Sequence, residues 1–317
     1  MTQDTLQDWL SAFRPRAQAA GISADTLDLA LTSVGLRDDV LEKERNQAEF
    51  TRRIWDYLDR AVSNERIAAG RTALQTHRDL LNRIETHYGV DRQILVAIWG
   101  LESNFGAVRG DVPTIAALAT LAATNRRGAY FESELIAALR IVQAGDVTAS
   151  GLKGSWAGAT GYPQFLPSMY LRVARDGDGD GRADIWSSEP DALASIANYF
   201  VNAGWRRGVP WGVPASISGS IDTPRFAART VSPRCERVFA RHSQWRTVAE
   251  WRALGVQPQR GTLRDTEMVT LFQPDGPNTP AWLLTGNYRV ILDYNCSNFY
   301  ALSVGLLADA VATGVPD

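Results

Sequence analysis

From Ile94 to Leu101 the chain is almost entirely apolar, and the next residue is an acid, Glu102. A helix apolar on most of its faces has to be surrounded by protein, so this segment demands a packed helical layer around it. Ser103-Asn104-Phe105-Gly106 then supplies the stop. Two effects act on a carboxylate in that place. An apolar surround disfavours its charged form, and the helix C-terminus adds the negative end of the dipole. Both raise its pKa, the condition for an acid that still holds a proton near neutral pH. On composition alone, a helix-end Glu that turns to water is the commoner outcome.

The rest of the chain sets the frame. Its 317 residues are long for a single core, and an apolar content of 45% with 21% charged residues is ordinary for a globular protein. The 33 Lys and Arg against 35 Asp and Glu give a net charge of -2, with no basic excess for nucleic acid. No apolar run approaches the roughly 20 residues of a membrane span. The opening MTQDTLQDWL carries no basic region followed by an apolar stretch, so the chain is expected to be cytoplasmic or to begin after a removed leader. Cys235 and Cys296, without a CxxC pair and with only His77, His87 and His242, argue against a zinc site. The two cysteines form either one disulfide or two buried thiols.

The periodicity predicts a mainly α, α+β protein. Residues 1–88 read as a helical domain, with Leu6, Trp9, Leu10 and Phe13 at helical spacing and a short helix from Ser23 to Leu36. Residues 89–207 read as a helical core, closed by a helix that starts at Glu189-Pro190-Asp191 and stops at Gly204. Residues 208–293 read as a small antiparallel β subdomain, with β-prone runs at Thr266–Phe272, Ala281–Thr285 and Tyr288–Leu292 between turn signals. Residues 297–317 return to helix and join the first domain.

Two motifs surround Glu102 with chemistry. Ser155-Trp156-Ala157-Gly158-Ala159, followed by Thr160-Gly161-Tyr162-Pro163-Gln164-Phe165, sets small residues beside aromatics and an amide. Such a stretch suits a sugar cleft, although it is more often a tight helix-packing motif. The loop Asp176-Gly177-Asp178-Gly179-Asp180-Gly181-Arg182 has the carboxylate spacing of an EF-hand start within residues 176–187. Its twelfth position is Ser187, and Asp191 stands where a late carboxylate could replace the missing Glu. The candidate calcium ligands are therefore Asp176, Asp178, Asp180, the Arg182 carbonyl and Asp191; the alternative is a solvated acidic turn.

Taken in order, AIWGLESNFG, SWAGATGYPQFLPS, DGDGDGRADIW, ALASIANYF, GWRRGVPW and YNCSNFYALSV resemble the membrane-bound lytic murein transglycosylase B family, glycoside hydrolase family 103. The motifs cover residues 91–211 densely and reach the C-terminus. The resemblance implies a lysozyme-like helical core, an additional helical domain and a small β domain. It places the acid/base at Glu102 and substrate contacts at Ser155, Gln164, Tyr199, Tyr294, Asn295 and Tyr300, with Tyr57 added by its spacing. It departs at Pro163, where many relatives have a residue with a backbone donor.

The implied reaction needs one carboxylate where most glycosidases use two. No second acid stands within the cleft-like motifs, and Asp111, Glu132 and Glu134 read as surface or structural. Glu102 would protonate the β-1,4 bond between N-acetylmuramic acid and N-acetylglucosamine. It would then deprotonate the muramyl C6 hydroxyl, which closes as a 1,6-anhydro ring. The N-acetyl group would assist, oriented by Ser155 and Asn295. No cofactor enters the chemistry, and calcium would be structural. The implied setting is the periplasm, with the peptidoglycan glycan strand and other cell-wall enzymes as partners. Competing readings are a goose-type lysozyme, a non-catalytic peptidoglycan-binding protein and, weakest, a calcium sensor.

Overall fold

The computed structural model describes residues 1–46, 54–124, 127–219, 221, 223–228, 235–261 and 263–313. In chain order the helices are α1 (Gln3–Ala19), α2 (Ala24–Leu31), α3 (Asp38–Arg45), α4 (Ile54–Ala61), α5 (Asn64–Thr76), α6 (Arg78–Tyr88), α7 (Arg92–Ser103), α8 (Thr114–Ala123), α9 (Gly128–Ala144), α10 (Pro167–Val173), α11 (Glu189–Asn202), α12 (Glu236–Phe239), α13 (Val248–Ala253), α14 (Gly286–Tyr294) and α15 (Asn298–Ala312). The strands are β1 (Val112–Pro113), β2 (Lys153–Gly154), β3 (Gly212–Ile217), β4 (Arg246–Thr247), β5 (Val256–Pro258), β6 (Met268–Phe272) and β7 (Ala281–Leu284). The protein is thus mainly α with a small antiparallel sheet, as the periodicity predicts. No helix among the described residues is long and apolar enough to cross a membrane.

The chain forms two compact units, each assembled from two segments. One contains residues 1–51 and 99–199, the other 52–98 and 200–317. The divides fall inside α7 and α11, so both helices contribute residues to each unit.

In the first unit, α8 is the central helix. Its TIAALATLAA sequence is buried from Thr114 to Ala122 apart from Ala116, and its alanines let α9 and α1 approach closely. Leu118, Leu121, Leu135 and Leu139 meet Leu6, Phe13 and Leu27 in one core. Each such side chain stabilises the unit by about 1.5–3 kcal/mol on burial. A two-stranded ribbon pairs Val112 with Gly154 and Pro113 with Lys153. Helix α2 stops at Leu31, short of the expected Leu36. The side chains of α1 explain the early end: Gln7 Nε2 donates to Val34 O at 3.0 Å, and Gln3 Oε1 accepts from Leu36 N at 2.6 Å. Those backbone groups are taken by side chains before another helical turn can use them.

The second unit holds a five-stranded antiparallel sheet in the order β4-β6-β7-β3-β5. Its core gathers Val213, Val248, Trp251, Val256, Val269 and Leu283. The expected strand at Tyr288–Leu292 is instead helix α14. Thr285 caps it, its hydroxyl accepting from Asn287 N at 3.1 Å, and buried Asn287 donates to the carbonyls of Arg206 and Val209. The β-branched and aromatic residues that suggested a strand are the buried face of this helix, a case of packing overriding propensity. Cys235 and Cys296 form a disulfide that ties the start of α12 to the corner between α14 and α15. Ser297 caps α15 through Tyr300 N, as expected for the last helix, and residues 314–317 of that expectation lie outside the described residues.

Candidate active site

Glu102 occupies the last turn of α7 and is half-buried, while Ile94, Leu95, Ile98 and Trp99 ahead of it are at most 2% exposed. The turn that follows is unusual. Asn104, Phe105 and Gly106 have φ of 48°, 58° and 86°, three successive residues in the left-handed region. Such a run costs energy at the two non-glycine positions and persists only if its surroundings hold it. They do so with directed bonds. Buried Ser103 donates its hydroxyl to Trp99 O at 3.2 Å and accepts from Gly106 N at 3.1 Å, and Val108 N donates to Ser103 O at 2.8 Å.

The aromatic part of the GATGYPQF segment seals this turn. The rings of Phe105 and Tyr162 meet Trp99 edge-on, at 5.7 and 6.4 Å between centroids. Gly106 is required here, since a Cβ would lie 2.6 Å from the Tyr162 ring. On Tyr162 sits the Arg109 guanidinium, 5.2 Å from the centroid. Gln164, itself at φ 49°, donates its side-chain amide to Arg109 O at 3.0 Å and Gly161 O at 2.9 Å. Its nitrogen is therefore spent on the loop, which leaves its side-chain oxygen as the group it can offer. Ser155 accepts from Ala159 N at 3.1 Å, so its hydroxyl closes its own turn and keeps its proton to donate. Tyr199 is 2% exposed and packs on Phe165, 6.3 Å between rings.

Of the three other acids considered at the sequence level, two have structural partners and one is exposed. Glu134, 3% exposed, accepts from Ser168 N at 2.9 Å and Ser168 Oγ at 2.6 Å, anchoring the start of α10. Glu132 pairs with Arg16 at 2.7 Å, and Asp111 is exposed.

The remaining candidates belong to the second unit. Tyr294 and Tyr300 stack with planes 3° apart at 6.3 Å, and Tyr294 also meets Phe200 at 5.9 Å. Asn295 is exposed at the C-terminus of α14, next to the disulfide. Tyr57 on α4 packs against Phe299, 5.6 Å between rings. The predicted residues therefore form two groups: Glu102, Ser155, Gln164 and Tyr199 in one unit, Tyr57, Tyr294, Asn295 and Tyr300 in the other.

The acidic loop is wound on its own carboxylates. Asp176 accepts from Gly179 N and Gly181 N at 2.6 and 2.8 Å, which holds its carboxyl below the usual carboxylate range. Asp191 is fully buried; it accepts from Gly177 N at 2.7 Å and Asp184 N at 2.6 Å, and burial still pushes its pKa up. One oxygen each from Asp176, Asp178 and Asp191 lie within 4.8 Å of one another. Three convergent hard oxygens, one desolvated enough to gain from a positive neighbour, fit a calcium ion. Asp180 is not a member of that triad, its carboxylate accepting from Arg182 N at 2.8 Å, and the Arg182 side chain donates to Gly145 O and Asp146 O. Sequence reasoning passed over Arg109, because nothing local marks an exposed arginine whose partners lie far along the chain.

Residues 5–309 match the family described as the transglycosylase SLT domain. The chain is 31% identical to membrane-bound lytic murein transglycosylase B of Escherichia coli K12 over 303 residues, 92% of this chain and 79% of that one. Its structure is similar to SltB3 from Pseudomonas aeruginosa in complex with NAG-anhNAM-pentapeptide, with a TM-score of 0.89 and 41% identity over 98% of this chain and 80% of that chain. It is also similar to an Escherichia coli lytic transglycosylase in complex with calcium, with a TM-score of 0.78 and 30% identity over 97% and 92% of the two chains.

Proposed function

The chain belongs to the transglycosylase SLT-domain family, as a lytic transglycosylase of peptidoglycan, and from that premise we propose that Glu102 is its single acid and base. The observation that carries the reading is the setting of Glu102, half-buried at the end of a buried helix and followed by a turn held by Ser103, Gly106 and Tyr162. A carboxylic acid in that setting delivers its proton to the glycosidic oxygen between N-acetylmuramic acid and N-acetylglucosamine. The substrate's own N-acetyl oxygen stabilises the anomeric carbon, with Ser155 Oγ and the Asn295 amide as the groups that orient it. Glu102, now ionised, takes the proton of the muramyl C6 hydroxyl, and O6 closes on C1. One C–O bond breaks and one forms, the proton is returned to the carboxyl, and no water is consumed.

Gln164, Tyr199, Tyr294, Tyr300 and Tyr57 complete the substrate contacts in this reading. Asp176, Asp178 and Asp191, with Arg182 O as the backbone ligand, would hold a calcium ion, which would order the 176–191 loop and supply no group to the bond breaking. Asp180 is the weakest member of the ligand set, since it lies outside the cluster formed by Asp176, Asp178 and Asp191. The substrate places the working enzyme in the periplasm. Glu102→Gln removes the titrating group and keeps the shape of the side chain. Turnover of purified sacculi should fall by roughly 10²–10⁴-fold, with the circular dichroism spectrum unchanged; turnover close to wild type would sink the assignment. Calorimetry should show calcium binding to the wild type and none to Asp176→Ala.

A further inference from the structure

Within the first unit, Arg109 joins the turn after Glu102 to the segment that leads from the acidic loop. Arg109 Nη1 donates to Trp186 O at 2.6 Å, across 77 positions of chain. Its guanidinium also covers the Tyr162 ring, and its own carbonyl receives the Gln164 amide. Among the described residues Arg109 makes no ion pair, although its side chain is exposed. An exposed arginine usually stays solvated or finds a carboxylate. This one is committed to a carbonyl and an aromatic face.

Beyond Trp186 the connection runs without a gap to the acidic loop. Trp186 N donates to Asp184 Oδ1 at 2.9 Å, and Asp184 N donates to Asp191 Oδ2 at 2.6 Å. The other oxygen of Asp191 receives Gly177 N at 2.7 Å. Trp186 is held further by its indole, which donates to Thr160 Oγ1 at 2.7 Å, and Tyr162 N donates to Ile185 O at 2.9 Å. Residues 184–186 are therefore fixed by Asp191 on one side and grip Arg109 and Tyr162 on the other. In the opposite direction the chain reaches the reacting carboxylate in seven residues, three of them in the left-handed region. Backbone in that region depends on its supports. The bonds of Ser103 hold the shape of the turn itself, and Arg109 adds a hydrogen bond that ties the turn to the backbone at Trp186.

We infer that Arg109 is a positioning residue, clasping the turn after Glu102 to the backbone at Trp186 and so coupling the order of the Asp176–Asp191 loop to the placement of Glu102. The inference rests on Glu102 being the acid and base. Its consequence is that calcium bound by Asp176, Asp178 and Asp191 influences turnover through Arg109, without touching substrate. Arg109→Ala removes the hydrogen bond to Trp186 O and leaves the acidic triad whole. Arg109→Lys keeps a donor for Trp186 O and gives up the planar cover of Tyr162.

Hydrogen exchange followed by mass spectrometry, with calcium and with a chelator, reads the clasp without reference to activity. In the wild type calcium should slow exchange at residues 176–191 and also at 104–110. In Arg109→Ala the protection at 176–191 should remain and that at 104–110 should shrink, with Arg109→Lys in between. In parallel, kcat on sacculi should fall on the order of tenfold in Arg109→Ala with KM unchanged, and should no longer respond to chelation. Equal calcium protection of 104–110 in wild type and Arg109→Ala would overturn the inference, as would its absence in the wild type. A wild type that shows the exchange pattern yet releases no anhydro product would retire the assignment of Glu102 and leave the clasp standing.

Discussion

At Gly106 the backbone has φ 86°, and a methyl group would come within 2.6 Å of Tyr162. Gly106→Ala therefore meets both a conformational cost and a clash with a ring that is itself pinned by Trp99 and Arg109. A loss of about 1–3 kcal/mol is expected in denaturant titrations, together with a fall in turnover, because the turn after Glu102 must shift. Unchanged stability would mean that the Tyr162 ring yields without cost. The place of Glu102 was legible in the sequence, since an apolar run ending in one carboxylate sets that side chain at the end of a buried helix. The setting of Arg109 was not. Its partner is a backbone carbonyl 77 residues away, and a carbonyl has no signature in the amino-acid sequence.

Elements behaved according to how local their determinants are. The last helix was readable from Ser297 and the apolar period behind it, and the acidic loop from the spacing of its aspartates. Helix α14 was misread because Tyr288, Val290 and Ile291 favour a strand, while the capping by Thr285 and the anchoring of Asn287 to Arg206 and Val209 decide for a helix. The same region carries a pH dependence. The Asn298 amide donates its nitrogen to Val238 O and offers its oxygen to His242 Nε2 at 2.8 Å, so the buried imidazole is neutral and protonated on Nε2. Burial lowers its pKa from 6.5 to about 4. Between those values the unfolded chain binds a proton that the folded chain refuses, so stability falls as pH drops from 6.5 towards 4. The loss is on the order of 3 kcal/mol by pH 4. Urea titrations at pH 7 and pH 4 should show it in the wild type and a smaller drop in His242→Gln; equal drops would place the sensitivity elsewhere. The disulfide is the other long-range constraint, spanning 61 positions. In the chain-entropy account a loop of that length is worth about 4 kcal/mol. The Cys235→Ser, Cys296→Ser double variant should accordingly unfold at lower denaturant, and an unaltered midpoint would show the bond to be energetically idle.

Over the whole molecule, each unit combines an early and a late stretch of chain, with the divides inside α7 and α11. A reading in chain order follows changes of composition along the sequence, and such discontinuous assembly leaves none at residue 98 or residue 199. The near-balance of charge and the mainly α architecture were both open to inspection, and the family places them in an enzyme that cuts glycan strands. In the proposed reaction Glu102 performs both proton transfers, and the C6 hydroxyl, not water, closes the ring. Mass spectrometry of muropeptides released from sacculi in ¹⁸O-labelled water tests it most directly. Products ending in 1,6-anhydro-N-acetylmuramic acid should appear without label from the wild type and be absent from Glu102→Gln. Reducing ends carrying ¹⁸O would contradict it and make the protein a hydrolase.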